Sequence, residues 1–218
     1  MSAFEFFFSF YGLLLGLSLA AIATGLATAI QHRKSVHIGW RAPLLAIFVA
    51  LDIASFWDSA WTNFRLLPFS YGLLVAGLVI ALVYFVAASL VFPHRIEDGA
   101  SLDDHFTANK RLVLLLLIVA NLLNVAVLLA VNLDRPGGMT VMKTYAVTMA
   151  LYLVLVGAAA LAKGPRLFAT MIGLHTAMYL AIAVYSAIAP TAVVDEDGRV
   201  NARAPAPALA PAPASAPR

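Results

Sequence analysis

The stretch "LVLLLLIVANLLNVAVLLAVNL", residues 112–133, decides the fold class. It holds no charged side chain, and as a helix rising 1.5 Å per residue it reaches about 33 Å, enough to cross a hydrocarbon core of roughly 30 Å. Working outward, five more runs of similar length and character appear at about 6–30, 43–65, 70–92, 139–162 and 167–189. The joints between them are marked by Pro43, Pro68, Pro93, "RPGG" at 135–138 and "KGPR" at 163–166, residues that resist continuing a helix. The expectation is an all-α, polytopic integral membrane bundle of six transmembrane helices over residues 1–190.

Composition agrees. Of 218 residues, 62% are hydrophobic and 11% charged, against about half and about a quarter in an average soluble domain. The net charge of +3 does not point to nucleic acid, because the basic residues stand singly or in pairs at the ends of apolar runs. Such placement orients a membrane protein, since short cytoplasmic loops retain Lys and Arg. Arg33, Lys34, Arg41, Arg95, Lys110, Arg111, Lys163 and Arg166 follow spans one, three and five, whereas Arg65 and Arg135 follow spans two and four. Both termini are therefore expected on the non-cytoplasmic side of a bacterial-type cytoplasmic membrane. The first run ends in the small-x-small sequence Ala27-Thr28-Ala29, yet "MSAFE" before it lacks a basic residue and the run far exceeds a signal's apolar core. It reads as a retained span.

The longest connection is the cytoplasmic loop 93–111, "PHRIEDGASLDDHFTANKR". Ser101 followed three residues later by Asp104 marks a helix start, and Leu102 and Phe106 share a face at i, i+4. Span four is expected to begin as a charged extension beneath the bilayer, either solvated or docking a cytoplasmic partner. Beyond Pro190, residues 191–218 end in alternating Ala and Pro, which cannot bury enough surface to fold, so the tail reads as an extended disordered arm.

Small residues recur every fourth position in span one (Gly12, Gly16, Ala20, Thr24, Thr28) and span six (Gly173, Ala177, Ala181). In lipid such stripes permit close backbone approach, so they are expected as packing faces, within the chain or between copies or partner subunits through Gly12, Gly16 and Gly173.

Polar residues inside the spans carry the functional question. Counted from the cytoplasmic ends, Asp52, Asn121 and His175 lie about 12–14 Å deep, with Tyr84 and Tyr152 within about 12–15 Å. A mid-membrane aspartate costs about 2.5–3.5 kcal/mol on insertion scales and needs a partner. His175 is the expected one, since a neutral imidazole donates to a carboxylate and a protonated one pairs with it. Nearer the outer face, Asp58 and Lys143 are expected to pair within a belt of Trp57, Trp61, Asn63 and Arg65, which also suits an aromatic interface anchor. Asn121 and Asn124 equally suit interhelical hydrogen bonding.

Catalytic chemistry finds little footing. There is no cysteine, no G-x-S-x-G, no P-loop and no dinucleotide fingerprint. His175 is the one intramembrane histidine of five, which does not supply paired haem ligands, and His94, Asp103, Asp104 and His105 lack metal-site spacing. No cofactor or metal is expected. The leading expectation is a non-enzymatic bundle whose polar layer carries or couples a proton, cation or solute. The alternative is a membrane subunit or scaffold of a larger complex, and an intramembrane enzyme using Asp103 and Asp104 is a third reading.

Overall fold

The computed structural model of the chain describes residues 3–64, 70–94, 101–132, 138–188, 193–194 and 200–201. Six helices follow in order: α1 (Ala3–Gln31), α2 (Arg41–Phe64), α3 (Tyr71–Ser89), α4 (Leu102–Asn132), α5 (Gly138–Leu161) and α6 (Pro165–Ile188). All six are long and apolar enough to span a bilayer. Their outward faces carry Leu13, Leu17, Leu82, Val86, Leu115, Leu122 and Val154, all exposed, while their inward faces are also apolar. Water would not tolerate so continuous an apolar surface, and lipid does. The chain is a multi-pass membrane protein.

Local chemistry sets the helix ends. Ser70 precedes α3 in extended conformation (φ −140°, ψ 153°) and its Oγ accepts from the Leu73 N–H at 3.2 Å, satisfying one of the free donors of the first turn. Pro165 opens α6, where its missing N–H is of no consequence. The expected spans match the helices within a few residues, except that α4 starts nearly three turns before its apolar run, at Leu102.

That early start corrects the picture of a projecting, solvated extension. Leu102 and Phe106 are buried inside the chain itself. Leu102 N–H donates to His37 O at 3.4 Å, and His37 forms a parallel bridge with Ser101, tying the α1–α2 joint to α4. His105 Nε2 lies 3.1 Å from Leu90 O at the end of α3. Phe106 meets Phe168 of α6 edge-on at 4.8 Å, and Lys110 Nζ donates to Ala162 O between α5 and α6. Arg41 grips Asp103 with two nitrogens, Nε to Oδ1 at 3.1 Å and Nη2 to Oδ2 at 2.8 Å, and its guanidinium lies 5.4 Å from the Phe106 ring centre. Gly39 makes room, since a Cβ there would fall 2.1 Å from Asp103 Oδ1. The three joints rich in Lys and Arg thus gather at one end of the bundle, called here the basic end. The opposite is the far end.

The small-residue stripes pack differently from expectation. In α1 the inward face is Tyr11, Leu15, Ser18, Ile22 and Ala29, at intervals of four, three, four and seven residues. Gly12 does sit against Trp57, but Gly16, Ala20 and Thr24 are exposed, and a Cβ on Gly16 would meet nothing within 4 Å. In α6, Ala177 and Ala181 are exposed and Gly173 is equally open. α6 meets its neighbours through rings: Phe168 on Phe106, and His175 and Tyr179 on Phe48. Four-residue spacing identifies a face but not its direction, and in α6 the bulky face turned inward.

The chain divides into two compact units, the first ending at Tyr179 and the second beginning at Leu180. In the second, Val193–Val194 and Val200–Asn201 pair as a two-residue antiparallel ladder, where an extended arm was expected. The flanking valines and the intervening Asp197-Gly198 are a hairpin signal. The Ala/Pro run lies outside the described residues.

Candidate functional site

Asp52 lies midway along α2 and is 1% exposed. Four side chains from four other helices converge on its carboxylate. Tyr84 of α3 and Tyr152 of α5 each donate a hydroxyl to Oδ2 at 3.2 Å. Asn121 of α4 donates Nδ2 to the same oxygen at 3.0 Å. Tyr179 of α6 donates to Oδ1 at 2.7 Å. Asn121 Nδ2 also lies 3.1 Å from Tyr84 Oη and 3.1 Å from Leu117 O, which fixes the amide's orientation and links two of the donors.

No cation faces this carboxylate among the described residues, and its donors are three phenols and an amide. Hydrogen bonds to a charged group are worth about 1.5–3 kcal/mol each, so two of the four offset the insertion cost of an ionised aspartate. A protonated Asp52 would keep the same neighbours through weaker neutral bonds. The cage therefore accommodates the residue both with and without its proton.

Of the residues expected in one layer, the structure brings Asp52, Tyr84, Asn121 and Tyr152 into contact. His175 is not hydrogen-bonded to Asp52, whose expected partner it was. The imidazole is 1% exposed and enclosed edge-on by Phe48 at 5.6 Å, Tyr152 at 5.2 Å and Tyr179 at 4.6 Å between ring centres. Its Nδ1 has no hydrogen-bond partner among the described residues. Tyr179, one turn further on the same face, takes the place at the carboxylate. Helical side chains lean toward the N-terminus, so a long phenol one turn deeper reaches back to the level where counting Cα atoms put His175. The i, i+4 spacing of His175 and Tyr179 was the signal that could have found it.

The outer layer is also rearranged. Asp58 and Lys143 are both exposed and form no ion pair with each other. The belt instead joins α1 to α2 through rings: Phe8 meets Trp57 at 5.3 Å and Trp61 at 5.0 Å, both edge-on. Asn63 joins α2 to α5, its Nδ2 donating to Tyr145 Oη at 2.8 Å and to Ser59 O at 2.7 Å. Arg65 lies outside the described residues. Asn124 is buried one turn from Asn121, its Oδ1 without a partner among the described residues.

Among the described residues no group of three or more His, Asp or Glu is placed to hold a metal ion. No family model, no curated protein and no solved structure matches the chain.

Proposed function

We propose that this protein is a non-enzymatic proton- or cation-coupled membrane protein in which Asp52 is the exchangeable proton site and α6 the element that responds. The observation that carries the reading is the convergence of Tyr84, Asn121, Tyr152 and Tyr179 on one buried carboxylate without a counter-charge. Proton uptake would turn charge-assisted bonds into neutral ones of about half the strength. The Tyr179 bond is the one that reaches α6, and at 2.7 Å it is the shortest of the four. Loss of charge at Asp52 thus loosens one helix more than the rest. The distribution of basic residues favours a bacterial-type cytoplasmic membrane with the basic end inside.

The test is pH-driven flux in proteoliposomes made with the wild type and with Asp52→Asn. Wild-type flux that Asp52→Asn abolishes supports the reading; equal flux in both rejects it. A second reading, a structural subunit of a larger complex, draws on the complete satisfaction of the carboxylate, which also suits a keystone of the fold. Under it, Asp52→Asn loses assembly with partner subunits and no flux exists to lose.

A further inference from the structure

The two halves of the bundle differ in what they put on the face that Asp52 occupies. At 100° per residue, Asp52, Ser55, Ser59 and Asn63 fall within an arc of about 80° on α2, and Tyr152, Thr148 and Tyr145 within about 60° on α5. Both arcs run from mid-membrane to the far end, and they meet there in the Asn63–Tyr145 hydrogen bond of 2.8 Å. At mid-membrane they meet again where Tyr152 donates to Asp52 at 3.2 Å. Ser55 and Thr148 are exposed although both lie inside spans. Tyr179 donates to Asp52 Oδ1 at 2.7 Å. Exposed Ser55, one turn from Asp52 on the same face of α2, begins a polar file that leads from the buried carboxylate toward the far end.

Toward the basic end the same faces carry Leu45 and Phe48 on α2 and Val156 and Ala159 on α5, all apolar and at most 1% exposed. Below them Phe106 and Phe168 close the bundle, with Lys110 Nζ 5.9 Å from each ring centre. On these arcs the next polar side chain in that direction is Arg41, in the first turn of α2 and about 16 Å along the helix from Asp52.

We infer that Asp52 is reached by water and protons from the far end alone, along a cleft between α2 and α5 lined by Ser55, Ser59, Asn63, Tyr145 and Thr148, with Tyr179 as its last residue. Thr148 Oγ1 bonds back to Thr144 O at 3.2 Å and Tyr145 O at 3.0 Å, as a helical threonine does in lipid. The two polar arcs face each other across the Asn63–Tyr145 and Tyr152–Asp52 hydrogen bonds and end at Asp52. The inference builds on the proton-site reading by assigning it a single side of access.

The chain has no native cysteine, so single cysteines report without background. Ser55→Cys, Ser59→Cys and Thr148→Cys are compared with Val147→Cys, exposed on another face of α5 at the same depth, and with Val49→Cys and Val156→Cys toward the basic end. Each full-length variant is treated in sealed vesicles of either orientation with a charged, membrane-impermeant methanethiosulfonate. Thiolate forms only where water reaches, so the first three should react at least about tenfold faster than Val147→Cys, and only from the side on which α1 begins. Rates no faster than Val147→Cys, or labelling from the basic end, overturn the inference. Three positions are used so that one poorly folded variant does not decide the result. The two proposals fail separately: unreactive cysteines with flux that depends on Asp52 remove the cleft and keep the proton site, while one-sided labelling without any flux does the reverse.

Discussion

Tyr179 Oη stands 2.7 Å from Asp52 Oδ1, the shortest of the four bonds to that carboxylate and the one made by α6. Replacing the phenol by Phe keeps the ring against His175 and Phe48 and removes only the donor. Tyr179→Phe should therefore reach the membrane at wild-type levels and lose about 1.5–3 kcal/mol of stability, the worth of a hydrogen bond to a charged group. Denaturation in mild detergent measures the loss. On the functional reading, the variant also uncouples flux from pH, because α6 no longer senses the charge on Asp52.

Asp52 itself should separate size from charge. Asp52→Asn preserves shape and leaves an oxygen to accept from the phenols, so the bundle should form. Asp52→Leu leaves three phenols and an amide buried without their acceptor, each at a cost of about 1–3 kcal/mol. The expected outcome is that Asn accumulates in the membrane and Leu does not. Equal accumulation, measured by fractionation and immunoblot, would show that the cage is not what organises the five helices.

These two sites also show what was legible in the sequence. The six spans could be read because a bilayer imposes length and apolarity on each helix separately, with no knowledge of its neighbours. The layer around Asp52 was legible because depth is a one-dimensional quantity that residue counting supplies. Rotation about each helix axis is set by packing, and that is where reading failed. His175 and Tyr179 share a face, but which of them touches Asp52 depends on side-chain length and lean. Asp58 and Lys143 both lie toward the outer face within side-chain reach by residue counting, yet both are exposed and form no ion pair with each other. Likewise Leu102 and Phe106 were correctly paired on one face, while the burial of that face required knowing that Phe168 and the α1–α2 joint would come to it.

His175 offers a sign test. Its ring fills space among three aromatic neighbours, but its Nδ1 is buried without a partner among the described residues. An apolar ring of similar size removes a desolvated polar atom at little packing cost, so His175→Phe should leave stability unchanged or raise it. His175→Ala should instead cost about 3 kcal/mol, because the cavity is only partly relaxed. Thermal unfolding of both variants distinguishes them, and a loss as large for Phe as for Ala would mean that the imidazole nitrogen makes a bond essential to the fold.

The clamp at the basic end predicts coupling between Arg41, Asp103 and Gly39. The two side chains are 25% and 21% exposed, so solvent screens the pair, but the two-point grip is geometrically favourable. A double-mutant cycle with Arg41→Lys and Asp103→Asn should return a coupling energy of about 1 kcal/mol, falling as salt is raised. Gly39→Ala should lose a similar amount without altering any charge, since its Cβ would displace Asp103 from the guanidinium. Combining Gly39→Ala with Asp103→Asn should then cost less than the sum of the two.

Glycines in α1 make the last prediction. A Cβ on Gly12 would fall 2.6 Å from Trp57 Cη2, and one on Gly25 would fall 2.6 Å from Phe92 Cβ, whereas one on Gly16 meets nothing within 4 Å. Gly25→Ala presses against the base of a side chain that cannot swing away and should destabilise by about 1–3 kcal/mol through overpacking. Gly12→Ala meets the far edge of an indole that can tilt, so its cost should be smaller. Gly16→Ala should be neutral or slightly stabilising within the single chain, since alanine is the better helix former. If Gly16 instead lies in a contact between copies, as its small-residue stripe permits, Gly16→Leu will shift the mass measured in mild detergent while leaving unfolding of the dissociated chain unchanged. An unchanged mass would assign the exposed face of α1 to lipid.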